Sequence, residues 1–303
     1  MNKKTILGTA QLIQKYGIAN KELNFNNKKA FQILNQSLKF GINRWDTSPI
    51  YSNSEKLIGN YLYKNNNIDI KISTKLNSLN KSKNYSLKNI NLKNHIKKNI
   101  MKSMNVMNIE KIDCYFLHDE NDYFLYKKEI LEILNEFKKS GLINKIGVSF
   151  YSSDLAIKAI NDKFIDVIQI PVNIFDRRFK EVINLARKNN ILVQARSIFL
   201  QGLFFLSPLE CKLKLPQGYN YVLTLYEIAK KNNLKPFQLA LIYVFYKLYI
   251  NYILLGVDNF QQLKENMDFI KNYKLNKKLL SEIELHFDKI PVNVTNPNYW
   301  ENV

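Results

Sequence analysis

The 303-residue chain has two cysteines, Cys114 and Cys211, and three histidines. No C-x-x-C pair or His/Cys cluster is present, which speaks against a disulfide framework and a zinc site. Long apolar runs are also missing. No stretch approaches the ~20 residues of a membrane span. Met1–Gln14 carries Lys3 and Lys4 but no apolar run of a secretion signal. The expected compartment is therefore the reducing cytoplasm. No Pro/Ser-rich linker divides the chain. Acidic residues are scarce, with 26 Asp and Glu against 45 Lys and Arg, a formal charge of +19. That imbalance raises the possibility of a nucleic-acid or membrane-surface binder. The lysines are dispersed, however, and no aromatic-interleaved basic stripe stands out. The reading is a solvated Lys- and Asn-rich surface without a nucleic-acid or membrane partner.

What is present is a 46% hydrophobic chain with Ile, Leu, Phe and Tyr throughout, enough for a large core. Short apolar runs predict strands at Thr5–Gly8, Asn43–Asp46, Ile70–Lys75, Ile112–His118, Lys145–Ser149, Val167–Ile170, Ile191–Ser197 and Ile253–Gly256. Amphipathic helical patterns separate them. Ala30, Phe31, Leu34 and Leu38 share one face, as do Ile130, Leu131, Leu134 and Phe137, with Gly141 as a C-cap. Eight strand–helix units predict an α/β fold, a single-domain (β/α)8 TIM barrel spanning 1–303. The polar stretch Asn77–Lys98 reads as a loop and helix start, and Asn65–Asn67 as a turn. The tail from about 288 to 303 reads as irregular.

Reacting groups in such a barrel sit at the C-terminal strand ends and in the loops that follow. Asp46 ends the second strand, Tyr51 lies in the loop after it, Lys75 ends the third and His118 the fourth. A phenol, with a reference pKa of about 10, is a poor acid near neutrality. An ammonium from Lys75 would lower that pKa, and Asp46 would keep Lys75 charged. His118 can hydrogen-bond a carbonyl oxygen. Singly, each residue has an ordinary alternative: a loop contact for Asp46, packing for Tyr51, solvation for Lys75, a structural role for His118. Together at one barrel mouth, they point to protonation of an alkoxide as a hydride arrives.

These residues lie where the chain resembles the aldo/keto reductases. Gly41-Ile42-Asn43-Arg44-Trp45-Asp46-Thr47-Ser48-Pro49-Ile50-Tyr51 is similar to that family's G-I-N-x-x-D-T-A-x-x-Y signature, and Asn53-Ser54-Glu55 with Leu57 and Gly59 to its continuation. Ser73-Thr74-Lys75, the segment Asp113–His118 and Gly141–Ser149 resemble its Lys, His and G-V-S segments. The resemblance runs from Gly8 to about Ile270. It implies an NADPH or NADH cofactor across the barrel mouth, without a Rossmann G-x-G-x-x-G, and no such motif occurs here. It implies that Gly8 and Thr9 lie along the cofactor, and that Ser149 and Gln169 bond the carboxamide. Arg196 then faces the nicotinamide, while Ser197, Leu200 and Gly202 follow the pyrophosphate. Gly256, Gln262, Glu265 and Asn266 hold the adenosine end.

Three departures stand out. Phe150 replaces a common Asn. Arg196 replaces a common aromatic, and its charge would repel the oxidised cofactor, so the reduced form should bind better. Gln262 stands where an Arg often clamps a 2′-phosphate, and Asp258 would repel one while accepting from a ribose hydroxyl. NADP and NAD both stay open, with Lys264 the nearby cation. The opening Gly8-Thr9-Ala10-Gln11 and Tyr16–Asn20 resemble a bacterial subgroup associated with sugar metabolism. The substrate expectation is a small carbonyl compound: a keto-sugar or its nucleotide derivative first, an aldehyde or ketone second. Trp45, Tyr299 and Trp300 are candidate pocket walls. The alternatives are a cofactor-binding barrel with a regulatory role, a lyase or epimerase using Lys75, and a nucleic-acid binder. Oligomeric state is not legible.

Overall fold

The computed structural model describes residues 4–20, 25–65, 69–79 and 91–300. Eight parallel strands close into one barrel in sequence order. They are β1 (Lys4–Gly8), β2 (Arg44–Asp46), β3 (Lys71–Leu76), β4 (Ile112–Leu117), β5 (Ile143–Ser149), β6 (Val167–Pro171), β7 (Leu192–Arg196) and β8 (Tyr252–Gly256). The first six units carry their main crossover helices on the outside: α1 (Asn27–Lys39), α2 (Ser54–Lys64), α3 (Leu92–Met107), α5 (Lys127–Lys139), α6 (Ser153–Asn161) and α7 (Lys180–Lys188). A short α4 (Glu120–Leu125) precedes α5. The β7–β8 connection is longer and holds α8 (Pro208–Lys214), α9 (Tyr219–Lys231) and α10 (Pro236–Ile242). After β8 come α11 (Phe260–Asn272), α12 (Lys277–His286) and α13 (Val292–Thr295).

The strands are apolar because a barrel covers both faces. Every residue of β6 is buried. Inside, the Phe116 ring fills space that Gly147 leaves, since a Cβ on Gly147 would lie 2.4 Å from the ring. Helix α1 starts where the Asn26 side chain accepts from the Lys29 N–H. Helix α5 stops at Gly141, whose φ of +80° suits glycine, and Leu142 N–H returns to the Phe137 carbonyl at 3.1 Å.

All eight predicted strands form, with small shifts at their ends. Asn43 lies just outside β2, yet its carbonyl still accepts from the Lys71 N–H at 2.8 Å. His118 lies one residue past β4, and its N–H still reaches the Leu76 carbonyl at 3.3 Å. Ser197 leaves β7 because its φ turns to +56°. At the other end β5 begins earlier, at Ile143, because Asn144 and Lys145 extend toward Asp113 beneath the barrel.

The tail differs from its expected irregularity. It holds α13 and a 3-10 turn at Pro297–Tyr299. The Trp300 indole N–H returns to the Val294 carbonyl at 3.3 Å, folding the segment on itself. Residues 66–67 and 80–90, within the predicted turn and loop, lie outside the described residues, as do 301–303. Among the described residues no helix is long and apolar enough to cross a membrane.

Candidate active site

Parallel register places the strand ends at one rim. Asp46 pairs with Gly8 on one side and Ser73 on the other, so Lys75, two residues further along β3, rises beside it. The Lys75 side chain is 1% exposed and donates to Asp46 Oδ1 at 2.6 Å and the Thr47 carbonyl at 2.9 Å. The Tyr51 hydroxyl is its third hydrogen-bond partner, and Nζ lies 5.0 Å from that ring's centroid. An ammonium has three donors, so Lys75 is fully satisfied. Burial disfavours its charge, but Asp46 and Tyr51 more than offset this and raise its pKa above the ordinary value.

Tyr51 is held by tight turns, its N–H on the Ser48 carbonyl and its own carbonyl taking the Ser54 N–H. Lys75 lowers the Tyr51 pKa as expected, but the net shift is upward. Burial raises it above the ordinary 10, and the lowering by Lys75 only partly offsets this. Dehydration of the phenolate outweighs attraction to an ammonium that Asp46 already pairs. Tyr51 is consequently a loaded phenol at neutral pH. His118 meets it edge-on with ring centroids 6.1 Å apart, and its Nδ1 lies 3.4 Å from Ser48 Oγ.

Asp46, Tyr51 and His118 line a cavity of about 350 Å³ at this rim, with Lys75 buried behind them. Such a volume lies in the range of small-molecule sites. Gly8, Thr9, Gln169 and Arg196 line it too. So do Ser197, Gly202, Gly256 and Gln262. Four residues expected at the cofactor do not reach its wall. Ser149 and Leu200 are buried beneath it. Asn266 is buried on α11, and the Glu265 carboxylate turns outward to Lys235 and Gln261 at 3.5 and 3.3 Å.

Gln169 has partners within the barrel as well. Its amide N–H groups go to Asp46 Oδ2 at 3.0 Å and Gln194 Oε1 at 3.1 Å. It therefore orients the carboxylate that holds Lys75. The Phe150 ring is fully buried, and only its carbonyl turns to the mouth, accepting from Arg196 at 3.3 Å. Trp45 is core, fully buried with its indole N–H on Ser37 Oγ at 3.1 Å. Tyr299 and Trp300 line a separate groove behind Gly17 and Ile18.

Sequence reasoning gave no site role to Gln11, Tyr16 or Tyr151, which also line the cavity. Gln11 donates to Asp258 Oδ1 at 2.6 Å, and Gln262 donates to its Oδ2 at 3.3 Å. The strand-end rule that singled out Asp46 covers Gln11 and Tyr151 equally, being in loops after β1 and β5. Tyr16 is brought in by a loop whose backbone bonds that of another, Ile18 N–H to the Gln201 carbonyl at 2.9 Å.

The aldo/keto reductase family model matches residues 4–287. The chain belongs to the aldo/keto reductase family. It is 25% identical over 301 residues to the "uncharacterized oxidoreductase YqkF" of Bacillus subtilis, covering 94% of this chain and 96% of that protein. Its fold is similar to the holo form of aldo-keto reductase AKR11C1 from Bacillus halodurans. The TM-score there is 0.75 at 23% identity, over 98% of this chain and 95% of that one. As an aldo/keto reductase, this protein is an NAD(P)-dependent enzyme that acts on a small-molecule carbonyl substrate.

The reductase's own residues fit a dinucleotide. The buried Asn266 Nδ2 has no hydrogen-bond partner, an orphan donor suited to a ring nitrogen. Ser197, Leu200, Gln201 and Gly202 all have positive φ, a local shape that can turn successive N–H groups toward an anion. A Cβ on Gly256 would lie 1.9 Å from Gln11 Oε1, so glycine there leaves room for the Gln11 amide where it bonds Asp258. The one predicted cation near a 2′-phosphate, Lys264, points to Asp268 at 3.7 Å.

Proposed function

We propose that Tyr51 is the proton donor in reduction of a small polar carbonyl compound, a keto-sugar or its nucleotide derivative in the first instance and an aldehyde or ketone in the second. The observation that carries this reading is Tyr51 itself. It is a half-buried, protonated phenol on the wall of the cavity, hydrogen-bonded from behind by a satisfied ammonium. Because Lys75 approaches the phenol oxygen as donor, the phenol's own hydrogen is left to point at a ligand. His118, on the same wall, supplies a second hydrogen bond to the carbonyl oxygen and fixes its position. Asp46 and Gln169 keep Lys75 in place. When bound, the reduced nicotinamide supplies the hydride. As negative charge develops on the substrate oxygen, Tyr51 releases its proton to that oxygen and Lys75 stabilises the phenolate left behind.

Ser197 and Gly202, on the cavity wall, would take the pyrophosphate, and Gly256 and Gln262 the adenosine end, with Asn266 buried behind them. Asp258 and the engaged Lys264 favour NADH over NADPH, since a 2′-phosphate would meet the Asp258 carboxylate while Lys264 is turned to Asp268. The reading is tested by titrating the protein with NADH and NADPH by fluorescence and then screening keto-sugars and aldehydes for cofactor oxidation. Binding with turnover of one carbonyl class is the expected result. Binding with no turnover of any would sink the catalytic reading and favour the regulatory one.

A further inference from the structure

The reacting end of the cavity holds one positive charge that the four catalytic candidates do not use. Asp46 and Lys75 neutralise each other. Arg196 lines the same wall as Tyr51 and His118, yet among the described residues it forms no ion pair. Neutral groups hold it instead. Its Nη2 donates to the Phe150 carbonyl and its Nη1 to the Ser197 hydroxyl, each at 3.3 Å. Its guanidinium carbon sits 4.1 Å from the Tyr151 ring centroid. Glu120, an acid that feels its charge, is committed elsewhere: Oε2 accepts the backbone N–H groups of Tyr151 and Ser152 at 3.0 and 3.1 Å.

A guanidinium carries five N–H donors. Two are engaged here at long distance, which leaves three for a ligand. Holding a partly buried cation without a counter-charge costs stability, and a bound anion removes that cost. The planar fork also matches the two oxygens of a carboxylate or phosphate. Tyr16, on the same cavity, is no competing anion: its side chain is partly exposed at the rim, but crowding around the hydroxyl pushes its pKa up to about 12 and keeps it neutral.

We infer that Arg196 is a specificity-determining residue, selecting substrates that carry a carboxylate or phosphate close to the carbonyl to be reduced. This rests on the carbonyl-reduction reading above, with the anion seated between Arg196, Tyr151 and the Tyr51 hydroxyl's side of the cavity. It adds to the nicotinamide role assigned by resemblance, since a ring would meet the guanidinium's face and an oxyanion its edge.

The test compares three para-substituted benzyl alcohols by calorimetry: 4-carboxybenzyl alcohol, 4-(hydroxymethyl)phenyl phosphate and the neutral 4-nitrobenzyl alcohol, which matches the planar carboxylate in shape. An anionic probe should bind about tenfold to hundredfold more tightly than the neutral one, the range of a charge-assisted hydrogen bond. Which anion binds better separates carboxylate from phosphate. In Arg196→Gln the anionic-to-neutral ratio should collapse toward one, and Arg196→Lys should keep part of it. Circular dichroism checks that both variants fold, and the lysine variant stands alone if the other does not. Equal affinities in the wild-type protein, no detectable binding of either anion, or a preference surviving in Arg196→Gln overturns the proposal. Turnover of the matching aldehydes is scored separately. Anion preference without turnover counts against the reductase reading alone, and turnover without preference counts against Arg196 selection alone.

Discussion

Lys75 is the most constrained side chain of the site, a buried cation whose three donors meet Asp46, Thr47 and Tyr51. Removing one partner of a buried pair leaves an uncompensated charge, which costs about 3–5 kcal/mol. Asp46→Asn should lower unfolding stability by that order, read from denaturant midpoints. A loss below about 1 kcal/mol would show that the pair is not a structural element. Tyr51 makes a second prediction. Reduction needs the phenol form, and burial raises its pKa above 10, so the proton is retained through neutral pH and lost only as pH rises through that raised value. The alkaline limb of kcat/KM for reduction should therefore lie above pH 10. A limb near pH 8 from this group would contradict the assignment. The sequence made the four residues legible because each sits at a strand end or in the loop that follows it. It did not reveal the direction of the Tyr51 shift, because that depends on how much water the loops exclude.

The loop between β1 and α1 shows how elements assemble the site. Ile18 bonds the Gln201 backbone, and Lys214 of α8 reaches the Ile18 carbonyl at 2.8 Å. Gly17 allows the approach: its φ is +89°, and a Cβ there would lie 2.3 Å from the Gln201 carbonyl oxygen. Gly17→Ala should cost about 1–3 kcal/mol of stability and loosen cofactor binding, measured as a lower Tm and a weaker NADH Kd. Unchanged values would mean that the two loops can separate without consequence. Strands and crossover helices were readable from local periodicity. The loop-to-loop latch was not, because Ile18 and Gln201 lie far apart in sequence and share only tertiary geometry. The hydrogen bonds of Gln169 were hidden for the same reason: Asp46, Gln169 and Gln194 come from three strands.

Across the whole chain, the residues that make up the charge of +19 are dispersed along the sequence. Exposed pairs such as Lys93–Glu136 add little to stability. The charges that matter to a ligand are those within the cavity, Arg196 at one part of the wall and Asp258 at another. Together they predict a ranking for the cofactor. A fluorescence titration of all four forms should give the lowest Kd for NADH, with NADPH weakened beside Asp258 and NAD+ weakened by Arg196. Tighter binding of NADPH would reassign the Asp258 loop, and tighter binding of NAD+ would remove Arg196 from the nicotinamide.

The central claim is that Tyr51 protonates the substrate oxygen. The most direct measurement is single-turnover reduction by Tyr51→Phe beside a cofactor titration of the same protein. The account predicts a loss of about hundredfold or more in the chemical step, with cofactor affinity kept close to that of the unaltered protein. Near-normal reduction by the phenylalanine variant would contradict it.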